Sequence, residues 1–291
     1  MNAHASNFTG HRSRKRISPF RLHRPVDLSS AVQTWKDLNR KAALLAGGVD
    51  LINSMKEGAD YSDVIDLRYI GALKAIERHD QFVHVGPMVT HSEFASASLP
   101  ASLALFGKMW GMIANPRIRH KGTLGGNIMA RNSSYDLLPC LCAFDATLFG
   151  MLMDGREISI APATQNIPEK FFLLGIRLPL EQFIFAFDRT EKPSVSLALA
   201  ATTLDDHVTK VGVGVGCAYD VVLGRTLTLP RPLSIGEFRK NASRLASQIA
   251  LALPRISNQR ASTSSYRHNL MEILIKRSIE RAGAGDDEPD A

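Results

Sequence analysis

The stretch Ile113-Ala114-Asn115-Pro116-Arg117-Ile118-Arg119-His120-Lys121-Gly122-Thr123-Leu124-Gly125-Gly126-Asn127 ends in a glycine-rich loop. Glycines at the start of a helix let an anionic group approach exposed backbone N–H groups, because no Cβ blocks the way and the helix end carries partial positive charge. A second loop of this kind lies upstream, Ala46-Gly47-Gly48-Val49-Asp50-Leu51, behind the apolar run Ala42 to Ala46. Neither loop follows GxGxxG or the P-loop pattern, and a Gly-Gly pair alone specifies no more than a turn. The upstream loop nevertheless sits in a strand, glycine, helix, strand unit: a helix through Leu51, Ile52 and Met55 stops at Gly58, and Asp63 to Leu67 is the next strand. Asp66 then stands about 20 residues beyond the glycines, a place that suits a ribose-binding acid and a strand-end residue equally.

Outward from these loops the chain keeps an α+β pattern. Ser29-Ser30 is expected to cap a helix with Val32, Trp35, Leu38 and Ala42 on its apolar face. Ala75 to Arg78 and Phe82 to Val85 alternate around His79-Asp80 as a hairpin, and Leu99 to Ala114 is helical, with Pro116 expected to end it. Strands are expected at Ala146 to Met151, Glu157 to Ile160 and Phe172 to Leu178, the last closed by Pro179. Beyond Pro179 the character changes: Gln182 to Arg189 alternates, Val195 to Thr203 is apolar, and Lys210 to Ala218 is a strand. Residues 236–253 and 264–282 are helical, the second with Leu270, Ile273, Leu274 and Ile279 on one face and Ser262 to Ser265 as cap candidates. The expected division is a basic arm over 1–18, a first domain over 19–181, a second over 182–283 and an acidic tail over 284–291.

A length of 291 residues suits two domains, and 45% hydrophobic with 22% charged residues excludes disordered, collagen-like, coiled-coil and disulfide-scaffold classes. The net charge of +7 is the one deviation. Arg12, Arg14, Lys15, Arg16, Arg21 and Arg24 place six of those charges near the N-terminus, while Asp286, Asp287, Glu288 and Asp290 offset four. No segment reaches the ~18 unbroken apolar residues of a membrane span. Leu137 to Met153 comes nearest and is interrupted by Pro139 and Asp145. The basic N-terminus leads into no apolar run, so a cytoplasmic location is expected. Cys140, Cys142 and Cys217 are too few for an iron–sulfur cluster and are expected in the core. His79, His84, His91 and His120 lack metal-ligand spacing, and Gly212, Gly214 and Gly216 suggest a glycine-faced strand rather than a second nucleotide loop. Arg117, Arg119, His120 and Lys121 suit phosphate steering, partner docking or a solvated face.

Residues 113–127 together with Asp136 and Pro139 resemble the second flavin loop of the FAD-binding subunits of molybdenum hydroxylases, a family that includes the medium subunit of carbon monoxide dehydrogenase and the FAD domain of xanthine dehydrogenase. Ala46 to Leu51, Val64 to Leu67, Val85 to Thr90, and Arg260-Ala261-Ser262 with Tyr266-Arg267 are similar to that family in the same order. The resemblance implies an α+β fold: a two-lobed PCMH-type FAD-binding domain, then a smaller C-terminal domain of antiparallel sheet plus helices. It implies non-covalent FAD, with Leu45, Ala46, Gly47, Gly48, Val49, Asp50 and Leu51 along the pyrophosphate and its flanks. Ala114, Ile118, Thr123, Gly125, Gly126, Asn127 and Met129 would form the other wall, Asp136 would reach the adenosine ribose, and Leu173 would lie near the flavin ring. It further implies a small subunit with [2Fe–2S] clusters and a large molybdopterin subunit, with no catalytic residue and no metal ligand assigned to this chain. The family commonly has a lysine near the flavin where this chain has Asp188, followed by Arg189. A stand-alone PCMH-type flavin oxidase and a polyanion or nucleic-acid binder using the basic arm are the alternative classes.

Overall fold

The computed structural model describes residues 16–38, 42–190, 194–254 and 264–282. Most of the basic arm, the acidic tail, Arg260-Ala261-Ser262 and the cap candidates Ser262 and Thr263 lie outside the described residues.

The first lobe contains β1 (Arg21–His23), α1 (Leu28–Leu38), β2 (Ala42–Leu45), α2 (Val49–Lys56) and β3 (Asp63–Asp66). Its strands are parallel, in the order β1-β3-β2. The expected strand, glycine, helix, strand unit is present, with β1 added at its edge. Helix α1 buries Ala31, Val32 and Trp35. Its cap is Asp27, whose Oδ1 accepts from Ser30 N at 2.8 Å, so Ser29 and Ser30 lie inside the helix rather than before it.

The second lobe is an antiparallel sheet, β4-β5-β8-β6-β7. It is built from β4 (Ile76–Arg78), β5 (Phe82–Val85), β6 (Thr147–Leu152), β7 (Glu157–Ile160) and β8 (Phe171–Pro179). Between β5 and β6 the chain makes α3 (His91–Ser96), α4 (Ala101–Trp110), α5 (Pro116–Lys121), α6 (Leu124–Met129) and α7 (Leu137–Ala143). Pro116 does not end a helix, as expected, but starts α5: at the first helical position its missing N–H costs nothing, and Asn115 caps the turn through Ile118 N at 3.0 Å. Strand β8 divides its side chains between two layers. Phe172 and Leu174 pack with Trp35 and Ile65 of the first lobe, whereas Phe171, Leu173 and Ile176 join Phe106, Trp110, Leu124 and Ile128 on the helical side.

The third sheet is an antiparallel meander, β9 (Gln182–Arg189), β10 (Ser196–Leu204), β11 (His207–Gly216) and β12 (Leu223–Ser234). Helices α8 (Ile235–Lys240), α9 (Ala242–Ala252) and α10 (Ser264–Glu280) follow. The single helix expected over 236–253 is broken at Asn241. On α10 the buried side chains are Arg267, Met271, Leu274, Ile275, Ser278 and Ile279, while Ile273, expected on that face, is 51% exposed. Helix α7, buried along its whole length, lies across the glycine face of β11. A Cβ on Gly212 would stand 2.0 Å from Ala143 O, and one on Gly214 1.8 Å from Pro139 O. Those glycines therefore serve backbone-to-backbone packing, which fixes α7 and the loops before it against the third sheet. Cys140, Cys142 and Cys217 are buried, and burial pushes the Cys142 thiol up to about 12.

Candidate cofactor site

The two glycine loops meet. Strand β2 ends at Leu45, and Gly48 takes the left-handed conformation (φ 78°) that opens α2. Gly47 lies so close to the second loop that a Cβ on it would stand 1.8 Å from Lys121 O and 3.0 Å from Gly122 Cα. The first bond into α2 runs from Ile52 N to Gly48 O at 3.3 Å. Among the described residues, the N–H groups of Gly47, Gly48, Val49, Asp50 and Leu51 meet no acceptor. Five unpaired donors at the positive end of a helix constitute an anion cradle.

The second loop spends its donors differently. Leu124 N donates to Val89 O and Gly125 N to Pro87 O, each at 2.9 Å. Gly126 N donates to Thr123 Oγ1 and Asn127 N to Thr123 O, each at 3.0 Å. These donors are thus closed by pairing with residues 87–90 and by the Thr123 cap, so exposed backbone N–H groups are supplied by the first loop. What the second loop offers is shape and one side chain. A Cβ on Gly126 would meet Thr123 Oγ1 at 3.1 Å and Ala46 Cβ of the first loop at 3.7 Å, so the two loops face each other here without a backbone clash. Asn127 Oδ1 is buried and has no hydrogen-bond partner among the described residues. A buried acceptor left unpaired costs roughly 1–3 kcal/mol, and a ligand donor would relieve it.

Ala114 is left-handed (φ 48°), uncommon for alanine, and is held by Arg119 Nη1, which donates to Ile113 O at 2.6 Å and Ala114 O at 3.1 Å. Ile118 and Met129 are half-buried, as are Leu45, Ala46, Val49, Asp50 and Leu51. Leu173 is 5% exposed in the sheet, within the apolar cluster that contains Leu124 and Ile128. Ala46 packs against the other cluster, beside Leu174, so Leu173 is gathered with α6 rather than with the first loop. Asp136, at the start of α7, is paired with Arg189 Nη1 of β9 at 3.0 Å; burial pushes its carboxyl up and Arg189 pulls it back. Arg189 is therefore committed to Asp136, while Asp188 beside it has no ion pair among the described residues. Asp66 is fully buried and holds Arg68 through two bonds of 2.8 and 2.7 Å, which makes it a strand-end residue with no face for a ribose.

One feature escaped sequence reasoning. Tyr135 donates from its hydroxyl to Asp50 Oδ1 across 85 residues of sequence. The cations already read before the second loop belong to an acid-free stretch: from Phe94 to Tyr135 there is no Asp or Glu, but there are five cations, Lys108, Arg117, Arg119, Lys121 and Arg131. Of these, Arg117, Arg119 and Lys121 directly precede the second loop and set a positive field there. Among the described residues no group of His, Cys, Asp and Glu could hold a metal ion, and no helix is long and apolar enough to cross a membrane.

Glycine loops meeting over a helix N-terminus, beside an antiparallel sheet and a C-terminal meander, define a nucleotide-cofactor protein of two-lobed PCMH type. Residues 18–181 match the family model described as the FAD binding domain in molybdopterin dehydrogenase, and the chain belongs to that family. It is a flavoprotein subunit of the molybdenum hydroxylase class, and FAD is its cofactor. It is 33% identical to the carbon monoxide dehydrogenase medium chain of Hydrogenophaga pseudoflava, over 91% of this chain and 97% of that protein. With the nicotine 6-hydroxylase medium subunit of Paenarthrobacter nicotinovorans it shares 26% identity, over 92% of this chain and 96% of that protein. The crystal structure of carbon monoxide dehydrogenase from Hydrogenophaga pseudoflava superposes with a TM-score of 0.77 at 20% identity, covering 92% of this chain and 99% of that one, which shows the shared fold.

Proposed function

We propose that this chain is the electron-transfer subunit of a molybdenum hydroxylase complex. Electrons would arrive from [2Fe–2S] clusters of a small partner subunit, fed by a large molybdopterin subunit, and leave for a terminal acceptor. The observation that supports this most is the pairing of five unbonded N–H groups on the first loop with the buried, unpartnered Asn127 Oδ1 on the second. The donor set suits a pyrophosphate, and the orphan acceptor suits a polar N–H or O–H of the same cofactor.

In this reading Gly47, Gly48, Val49, Asp50 and Leu51 hold the phosphates by backbone, while Thr123, Gly125 and Gly126 shape the opposite wall. Leu45, Ala46, Ala114, Ile118, Met129 and Leu173 provide apolar packing, and Asp136 reaches the adenosine ribose by sharing itself with Arg189. Bound FAD supplies the capacity to accept electrons singly and release them in pairs. The chain's own residues bind and orient it, and none is given a proton-transfer role. Residues 19–181 form the cofactor domain and 182–283 the domain against which α7 rests.

The test is reconstitution with FAD, followed by gel filtration with and without the two partner subunits. One retained FAD per chain is expected, with reduction of the flavin by the complex's substrate only when both partners are present. Reduction of the isolated chain would replace this proposal with direct oxidation at the flavin. No retained flavin even in the complex would overturn the cofactor placement itself.

A further inference from the structure

Asp50 sits in the first turn of α2, among the N–H groups that meet no acceptor. A carboxylate there ordinarily folds back onto such donors, since they are unpaired and the helix end is positive. Folded back, it would occupy the anion cradle and repel a second anion. In this structure it does neither. Asp50 accepts no backbone N–H among the described residues; its Oδ1 accepts instead from the Tyr135 hydroxyl at 2.5 Å.

The turn that carries Tyr135 is itself fixed. Tyr135 N donates to Asn132 O at 3.0 Å and Ser134 N to Asn132 Oδ1 at 2.9 Å. Just before it, Arg131 is left-handed (φ 51°) and donates to Pro168 O. Burial, then the Asp50 carboxylate, pushes the Tyr135 phenol up to about 12, so it stays a hydrogen-bond donor throughout the neutral range.

We propose, resting on the FAD placement above, that Tyr135 is a positioning residue of the cofactor site: its hydroxyl holds the Asp50 carboxylate off the first-turn N–H groups of α2 and keeps them open for a pyrophosphate. The same bond ties the segment leaving the second loop to the helix of the first. Removing only the hydroxyl frees Asp50 to fold into the cradle and compete with the cofactor.

The experiment is a double-mutant cycle on the full chain, with FAD affinity read by flavin fluorescence. Tyr135→Phe keeps the ring and is expected to weaken FAD binding about tenfold in the wild-type background. In the Asp50→Ala background the same substitution is expected to change affinity less than twofold, because the carboxylate it releases is absent. A purely structural role for the phenol would give equal losses in both backgrounds, and that result overturns the proposal. So does unchanged affinity of Tyr135→Phe alone. Loss of binding in Asp50→Ala alone overturns it too, since the carboxylate would then be contributing to the cradle. Failure of the wild-type chain to bind FAD would instead refute the cofactor placement on which the proposal rests.

Discussion

Gly126 separates the demands of folding from those of the cofactor. It lies inside α6 with ordinary helical backbone, so alanine there gains up to about 1 kcal/mol of helix propensity. The added methyl meets Thr123 Oγ1 at 3.1 Å, a contact that a few tenths of an ångström of movement relieves, and Ala46 Cβ at 3.7 Å, an ordinary packing distance. The apo protein should therefore keep its melting temperature or gain slightly. The same methyl faces Ala46 of the first loop and, in the placement proposed above, stands against the cofactor. Gly126→Ala is expected to weaken FAD at least tenfold, and Gly126→Val, with two further methyls, to abolish binding.

The assay is thermal unfolding with and without FAD at about 100 times the wild-type Kd, where bound ligand adds about 2.7 kcal/mol. At roughly 2–4 °C per kcal/mol, this raises the wild-type melting temperature by about 5–10 °C. A tenfold loss of affinity leaves about 1.4 kcal/mol, so the rise is halved for alanine, and it vanishes for valine. An alanine variant with a full FAD-induced rise would refute the placement of Gly126 on the cofactor wall. An alanine variant whose apo form melts well below wild type would refute the claim that the methyl meets only Thr123 Oγ1 and Ala46 Cβ.

Three further outcomes follow from the geometry. Ala114→Gly should stabilise the chain by about 1 kcal/mol in urea unfolding, because glycine removes the left-handed strain at φ 48°; equal midpoints would show that the strain is absent. Gly214→Ala should destabilise by more than about 3 kcal/mol, since a Cβ 1.8 Å from Pro139 O forces α7 off β11, and a native-like midpoint would disprove that packing. His91 is 3% exposed and accepts from Trp110 Nε1 at 3.1 Å, and burial lowers its pKa from 6.5 to about 4. The unfolded chain then binds a proton that the folded chain refuses between those values, so His91's contribution is fully present above pH 6.5 and about 3 kcal/mol is lost as the pH falls to 4. His91→Gln, which keeps an acceptor for Trp110, should flatten that slope, and an unchanged slope would refute it.

The first lobe was legible because Ala42 to Ala46 is a short apolar run closed by glycines, and such a run has one reasonable continuation. Strand β12 was not. Its sequence, Leu223 to Ser234, carries Pro230 and Pro232 and exposes Arg225, Thr226, Thr228 and Arg231, which is how an edge strand reads when one side pairs with nothing. Helix α7 was hidden for the opposite reason. With every side chain buried it shows no periodicity, and Pro139 within it argues against a helix until its position in the first turn is known. On α10, the choice between Ile273 and Ile275 depends on where the meander lies, which spacing alone does not contain. The two glycine loops that the structure brings together were legible from their composition. The Tyr135–Asp50 bond was not, because two polar residues 85 positions apart leave no local pattern.

Two loops that look equivalent as sequence are thus unequal as chemistry. Both carry Gly-Gly, but the first leaves its N–H groups open, and the second closes its own against Pro87, Val89 and Thr123. The second loop gains rigidity from that closure, and rigidity is what a wall requires. Charge is divided in the same sense. The first loop brings Asp50, which in the reading proposed above Tyr135 manages, whereas Arg117, Arg119 and Lys121 directly precede the second loop. The exposed Arg117 and Lys121 act over a Debye length of about 10 Å at 0.1 M salt, so they would favour the approach of a dianion more than fix it in place. In the proposed placement holding falls to the neutral donors at the start of α2, where the geometry is set by β2, Gly48 and the close backbone approach of Gly47 to Lys121.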